Sequence, residues 1–237
     1  MFEALHALMM TYAFVSSRRN PLLKMKGVNP ATLSYGLVQY AWFPRVIVTM
    51  LMAIRDLARQ YGWEAVAQEL TRNLGEELGT ETYGVPHNVL FTRILEEECG
   101  LDSPMEKSAS TSKFISGMFH QLLSGDRIHA LGTVYALETT ACPELLVVVK
   151  MITHLRKQKG HKNPGAFSPN TQNFFDMHIN IWEPGHSEGL RLASEPLLTS
   201  DDARTSFEHG FKAVLDIMET WWEELADETS RLGQMSH

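Results

Sequence analysis

Apolar residues recur along most of the chain at the three- and four-residue spacing of a helix, not at the two-residue spacing of a strand. The stretch 33–61 shows this spacing, with Leu37, Val48 and Leu51 among its apolar positions. No segment alternates apolar and polar residues over any length, and the chain shows no internal repeat or low-complexity tract. The pattern therefore predicts a single all-α domain over residues 1–237, a bundle of about seven helices joined mostly by short loops.

Proline and glycine set the expected limits of these helices. Asn20-Pro21 should end the first helix, Gly79 should end the third, and Pro86 should open the fourth. The predicted helices cover residues 2–17, 33–61, 63–78, 86–99, 111–123, 126–141, 143–158, a segment after Pro169, and 200–231. Pro44 is expected to kink the second of these helices. The helices 126–141 and 143–158 would be one bent helix if Pro143 does not separate them.

The composition is that of an ordinary globular protein, with 44% hydrophobic and 21% charged residues. A net charge of −7 argues against nucleic acid or an anionic membrane as a partner, because either requires a basic face. Cys99 and Cys142 form no CxxC pair, as is usual in a reducing compartment. The N-terminal apolar run precedes Arg18 and Arg19, which is the wrong order for a signal peptide. No apolar stretch is expected to span a bilayer, so we expect a soluble cytoplasmic protein.

The third predicted helix places a carboxylate on its apolar face. Val66, Leu70 and Leu74 form that face. Glu77 continues it, because it lies one helical turn after Leu74. Glu76 points about 100° away and is therefore expected to be solvated. Since an isolated charge is costly to bury, Glu77 must find a cation, take up a proton or reach water at the helix end.

Two further ionisable groups lie on apolar faces of the following helices. His87 shares a face with Phe91 and Ile94, and Glu138 follows a run, 130–137, that contains no charged residue. A core histidine is often hydrogen-bonded to a backbone carbonyl, and a buried glutamate is often paired with an arginine or capped by a tyrosine. Metal ligation is the functional alternative for both residues.

The stretch 174–186 contains two histidines and a carboxylate within an apolar segment. On a regular helix, His178 and Glu183 would point about 140° apart. Pro184 has no N–H to donate to the preceding turn, so the helix must be disturbed there. A one-residue π-bulge would bring Glu183 and His186 onto the face of His178, and such bulges are frequent at functional sites. A surface helix that is kinked by Pro-Gly, with scattered polar groups, is the alternative.

Together these positions form a set of three carboxylates and three histidines. They are Glu77, His87, Glu138, His178, Glu183 and His186. Helical bundles that hold two iron or manganese ions use this ligand chemistry. Three carboxylates would offset three of the four positive charges of two divalent ions, so metals and ligands could be buried together where neither could be buried alone. A di-metal site is therefore one interpretation of the set.

The order of these segments resembles that of the heme-oxygenase-like di-metal oxidases and oxygenases, which share a seven-helix bundle with TenA-type thiaminases and CADD-like proteins. Asn20-Pro21-Leu22-Leu23 resembles the opening of that family. Residues 73–79, followed by His87, resemble its Glu–loop–His element. The run 136–138 resembles its central ligand helix, and residues 174–178 resemble the start of its last ligand helix.

The resemblance implies two ferrous ions, with manganese as the alternative metal. The implied ligands are Glu77, His87 and Glu138 on one side, and His178, Glu183 and His186 on the other. Glu138 would bridge the ions, and the resemblance makes Glu138 and His178 the expected catalytic residues. Trp182 stands where the family has a carboxylate, so the last two ligands are shifted by one residue, a shift that a π-bulge would absorb. Glu81 is a spare candidate ligand.

The resemblance also implies an O2-dependent enzyme that remodels a C–C or C–N bond of a small amino-acid-type substrate. Members that convert an aromatic amino acid such as tryptophan into a nitrile are similar in length and in the shifted ligand helix. An external reductant and a homodimer are further expectations. No substrate-binding residue is assigned.

Three alternatives remain open at this point. A thiaminase-like hydrolase on the same bundle would use Cys142, one turn after Glu138, as its nucleophile. A haem-binding protein would use one histidine, such as His6. A non-enzymatic interaction protein would tolerate Glu138→Ala without loss of stability, because it would have no use for a buried carboxylate.

Overall fold

The computed structural model of the protein describes residues 1–25, 27–102 and 106–235. Every regular element among these residues is helical, which confirms the predicted all-α fold class. The α-helices are α1 (Phe2–Met9), α2 (Pro21–Lys24), α3 (Pro30–Tyr40), α4 (Phe43–Gln60), α5 (Glu64–Glu77), α6 (His87–Cys99), α7 (Ala109–Leu122), α8 (Arg127–Gln158), α9 (Pro169–Met177), α10 (Glu183–Ser194) and α11 (Asp201–Met235). A π-helical turn (His178–Trp182) joins α9 to α10, and a 3₁₀ turn (Glu195–Leu197) follows α10.

The two longest helices, α8 and α11, form the central pair of the bundle. Glycines allow them to approach closely. An added Cβ on Gly132 would lie 2.0 Å from the carbonyl oxygen of Phe207, and one on Gly210 would lie 2.0 Å from that of His129. A larger residue at either position would therefore push the helices apart.

The helices that carry the candidate ligands surround α8. Helices α3, α4, α6 and α10 pack against α8, and α5 packs against α4, α6 and α10. One continuous apolar core lies between them, with the side chains of Trp221, Trp222 and Phe91 completely or almost completely buried. The candidate ligands are therefore carried by elements that are fixed to a common core.

The prediction of a first helix over residues 2–17 is wrong, because α1 ends at Met9. Side chains from later in the chain bind the backbone of the segment after Met9. The guanidinium group of Arg19 donates to the carbonyl oxygens of Met10, Thr11 and Tyr12. The carboxylate of Glu219 accepts hydrogen bonds from the N–H groups of Ala13 and Phe14. These contacts with other residues replace the hydrogen bonds of a continuing helix.

The two prolines inside predicted helices have different effects. The predicted helix 33–61 is divided into α3 and α4, with Pro44 in the first turn of α4, where its missing N–H removes no helical hydrogen bond. Helix α8, in contrast, continues through Pro143 as one element. Buried residues on both sides of Pro143 hold its two halves in the core.

Two stretches among the described residues could cross a membrane by length and composition alone, Pro30–Gln60 and Arg127–Gln158. The expectation that no apolar stretch is long enough to span a bilayer is therefore wrong by length and composition. Of the most apolar window, 50% is buried within the fold in the first stretch and 67% in the second. Helix α8 is covered by α3, α10 and α11. Their apolar character is therefore accounted for by their position in the core of the bundle.

Candidate metal centre

A tight turn brings His87 back to the end of α5. Gly79 adopts φ +101°, and an added Cβ there would lie 2.7 Å from the backbone of Val85, so the turn requires glycine. The chain then enters α6 at His87. Nδ1 of His87 lies 3.3 Å from Oε1 of Glu77, and the His87 side chain is almost completely buried.

His178 reaches the same place from the junction of α9 with the π-turn. Its Nδ1–H donates to the carbonyl oxygen of Phe174 at 2.7 Å, which leaves the lone pair on Nε2. Nε2 faces Nδ1 of His87 at 3.1 Å. Burial, reinforced by His87, lowers the pKa of His178 to about 4. His178 is therefore a neutral imidazole with its free lone pair directed at His87, the form in which histidine binds a metal ion.

Glu77, His87 and His178 form the first group, in which one ligand atom from each lies within 4.8 Å of the others. The ring of His87 stacks on that of Trp182, with centroids 4.9 Å apart. Its Nε2 atom is buried and has no hydrogen-bond partner. The group offers two imidazole nitrogens and a carboxylate oxygen, a donor set that suits a divalent transition-metal ion.

The π-turn places the remaining ligands on the side of His178. The N–H of Glu183 bonds to the carbonyl oxygen of His178, five residues earlier, immediately before Pro184 begins the next turn. The predicted π-bulge is therefore confirmed. His178, Glu183 and His186 are all buried, whereas Ile181 within the turn is exposed.

Glu138, Glu183 and His186 form the second group, again with one ligand atom from each within 4.8 Å of the others. Nδ1 of His186 lies 3.2 Å from Oε2 of Glu138 and 3.7 Å from Oε2 of Glu183. Burial raises the pKa of Glu183, and the adjacent carboxylate of Glu138 raises it further. The second group is therefore a concentration of buried negative charge that attracts a proton or a cation.

The structure thus brings all six predicted residues into two groups, but it groups them differently from the resemblance. His178 lies with Glu77 and His87, because its free nitrogen faces α6. Glu138 lies with Glu183 and His186, because α8 and α10 pack directly together. Metal binding by these residues stays a prediction.

The expectation that Glu76 is solvated is wrong, because Glu76 is only 8% exposed. Its Oε2 lies 2.6 Å from Nε2 of His186, and its Oε1 accepts from Nη1 of Arg72 at 2.8 Å. Helix α5 is covered by α10 as well as by α6, so two of its faces are internal. The apolar stripe identifies only the face that carries Glu77. A pair of adjacent carboxylates beside a helix end, with an arginine one turn earlier, is the signal that could have identified Glu76.

Both groups border one pocket between the helices. Its lining is Tyr40, Phe43, Pro44, Ile47, Glu77, His87, Phe91, Leu137, Glu138, Ala141, Leu145, Phe174, His178 and Glu183. The lining combines acidic and imidazole groups with aromatic and aliphatic side chains. It contains no lysine or arginine among the described residues. The chemistry of the lining therefore suits a small apolar molecule beside the potential ligand atoms.

A second buried carboxylate on α8 lies outside the two groups. Glu144 is completely buried, accepts from Nε1 of Trp222 at 2.9 Å, and has no partner for its Oε2. Burial raises the pKa of Glu144 to about 8. Burial also raises the pKa of Tyr40 well above its usual value, and Glu144 contributes to that increase. Both side chains therefore carry their protons at neutral pH.

The remaining candidates lie away from the two groups. Glu81 is exposed in the loop after Gly79. Cys142 is half-buried beside the carbonyl oxygen of Ile179, and burial raises its thiol pKa, which disfavours the thiolate that a nucleophile requires. His6 is exposed on α1. The geometry supports neither the hydrolase nor the haem protein that these two residues would serve.

Two adjacent carboxylate–histidine groups in the core of a helical bundle are typical of one class of protein, the bundles that can hold two metal ions. Comparison with known families is more specific. Residues 3–228 match the family model described as a domain of unknown function with a solved structure, DUF3865. The chain therefore belongs to the DUF3865 family.

Solved structures agree with this assignment. Two crystal structures of a CADD-like protein of unknown function from Nostoc punctiforme PCC 73102 superpose on the chain with TM-scores of 0.87 and 0.84. The identities are 33% and 32%, over 96% of this chain and 96% or 93% of the other. No curated protein matches the chain. The fold is thus CADD-like, a heme-oxygenase-like bundle that is associated with diiron enzymes.

Proposed function

We propose that the protein is a non-haem diiron oxidase or oxygenase that uses O2 to remodel a C–C or C–N bond of a small amino-acid-type substrate. One observation carries the proposal: two groups of carboxylate and imidazole ligands border the same largely apolar pocket. The CADD-like fold supports it. Two ferrous ions, when bound, would supply the electrons for O2 reduction, which these side chains do not provide.

The chain's own residues prepare the centre in two ways. Burial keeps His178 neutral and its hydrogen bond to Phe174 orients it, so no proton has to leave it before it binds a metal ion. The carboxylates of Glu138 and Glu183 are buried, and their charge is offset only in part by His186. Burial also excludes bulk water, which protects a reactive centre from side reactions.

The pocket supports an apolar or aromatic substrate side chain. Phe43, Phe91 and Phe174 contribute aromatic surface, and Ile47 and Leu145 contribute aliphatic surface. Because the described residues of the lining include no lysine or arginine, we propose that the charged groups of an amino acid face the metal ions or the pocket mouth. An aromatic amino acid such as tryptophan, with a nitrile as the product, is the most specific substrate that we propose.

The test is O2 uptake by protein that has been loaded with Fe(II) under anaerobic conditions. We expect one of a panel of aromatic and apolar amino acids to stimulate uptake, and a chelator to abolish the effect. Glu138→Gln should lose it, because a neutral amide is a poor ligand for iron. Glu188→Gln is the matched control, since Glu188 is exposed on α10 and, among the described residues, pairs with Arg191. Full turnover of an amino acid in the presence of chelator would overturn the proposal.

A further inference from the structure

We propose that Glu76 is a positioning residue, which determines that Nδ1 rather than Nε2 of His186 serves as the metal-binding nitrogen. The inference rests on the proposed metal site, and it adds a residue that neither the resemblance nor the apolar pattern indicates. Glu76 does not belong to either group of potential ligands. Its hydrogen bond with His186 connects it to the second group.

The two nitrogens of His186 face different carboxylates. Nε2 lies 2.6 Å from Oε2 of Glu76, whereas Nδ1 is directed at Glu138 and Glu183, at 3.2 and 3.7 Å. A carboxylate can only accept a hydrogen bond, so the contact with Glu76 fixes the proton on Nε2. The other proton of His186, on Nδ1, faces Glu138 and Glu183, so it is the one that a metal ion in the second group would displace. This carboxylate–histidine arrangement is how many metal-binding histidines are oriented.

Arg72 determines which oxygen of Glu76 faces His186. Its Nη1 donates to Oε1 of Glu76 at 2.8 Å, and it also pairs with Glu69 one turn earlier on α5. Arginine has only donors, so it always requires an acceptor at the Oε1 position. The carboxylate of Glu76 meets this requirement and accepts from His186 at the same time. Glu69 contacts Arg72 but, among the described residues, forms no hydrogen bond with His186, so it serves as the control position.

This geometry predicts an unusual result for a conservative change. In Glu76→Gln, Arg72 would hold the amide oxygen, so the amide NH2 group would face Nε2 of His186. Because that NH2 group donates, Nε2 would have to accept, and the imidazole proton would move to Nδ1, where it would block metal binding. Adding Arg72→Met would free the amide to turn, so that its oxygen again accepts from Nε2–H.

The experiment is an anaerobic Co(II) titration, followed by visible absorbance. We expect two binding events for the wild type and for Glu69→Gln. In Glu76→Gln, one of the two should weaken by about 10- to 100-fold. The double variant Arg72→Met/Glu76→Gln should recover most of that loss. As a structural readout, long-range ¹H–¹⁵N spectra of the Zn(II)-loaded wild type should show His186 bound through Nδ1 and protonated on Nε2.

Each outcome has a defined meaning. A wild type that binds fewer than two Co(II) ions would overturn the metal site and the inference together. A wild type that binds two, with Glu76→Gln binding both equally tightly, would overturn the inference alone. No recovery in the double variant would indicate that Glu76 is itself a ligand. Where Glu76→Gln does not fold, as judged by circular dichroism, the spectra of the wild type decide: Zn(II) on Nε2 of His186 would overturn the inference.

Discussion

The pKa values of the two histidines His178 and His186 are shifted in opposite directions. Burial lowers the pKa of His178, with help from His87, and thus keeps that imidazole neutral. Burial disfavours the charged form of His186 too, but the hydrogen bonds that His186 donates to Glu138, Glu183 and Glu76 outweigh it and raise the pKa. In the metal-free protein His186 is therefore a cation among carboxylates. A metal ion that replaces its proton would serve the same electrostatic purpose.

Glu144 provides a test of burial at a single residue. Its pKa is raised from 4.5 to about 8, so between these pH values the folded state holds a proton that the unfolded state has released. The free energy of unfolding must therefore fall as pH rises through this window. Glu144→Gln removes the titration while retaining an acceptor for Trp222, and should stabilise the protein by roughly 3 kcal/mol at pH 7.

The measurement is urea unfolding of the metal-free wild type and variant at pH 5 and pH 8. We expect the advantage of Glu144→Gln to be small at pH 5 and to grow towards pH 8. Equal differences at the two pH values would show that Glu144 does not titrate in this range in the folded protein.

At the scale of elements, the local sequence is sufficient to predict features that depend on residues within one helix. Pro184 alone requires a disturbed helix, and the structure has a π-turn immediately before it. Gly79 and Pro86 set the ends of α5 and α6 near the expected residues.

Contacts between distant parts of the chain account for the errors. The apolar stripe of α5 indicates one buried face, but α10 covers a second face, and Glu76 lies on it. The first helix is too long in the prediction because Glu219, far along the chain, binds the backbone of Ala13 and Phe14. Neither partner can be identified from the spacing of apolar residues.

The π-turn leads to a prediction about the number of residues between His178 and Glu183. If its role is to absorb one extra residue, deleting Ile181 should convert the turn into regular helix. Glu183 and His186 would then follow His178 by one and two helical turns and would remain on its face. Inserting one alanine after Ile181 should rotate both residues away by about 100°. Ile181 is a suitable position because its side chain is 56% exposed.

Metal stoichiometry distinguishes the two variants. We expect the deletion to retain both Co(II) ions and the insertion to lose the ion held by the second group, while both keep their helical circular dichroism. Retention of both ions by the insertion would show that the alignment of His178 with Glu183 and His186 is not required.

At the scale of the whole molecule, the six residues come from α5, α6, α8 and the α9–α10 junction. Bound metal would therefore connect elements that are far apart in sequence, and the apolar core would hold them in position before it binds. The all-α class and the membership of six side chains in one centre follow from the sequence. Which of the six residues form each group depends on how α8 and α10 pack together. The spacing of apolar residues does not predict that packing.

The most direct test of the metal centre is the iron content of protein that has been loaded anaerobically with Fe(II) and then desalted. We predict about two iron atoms per wild-type chain, as in other bundles with paired ligand groups. His87→Ala and His186→Ala should each lose about one, because they remove a ligand from the first and the second group respectively. Less than one iron atom per wild-type chain, or equal iron in the wild type and both variants, would contradict the account.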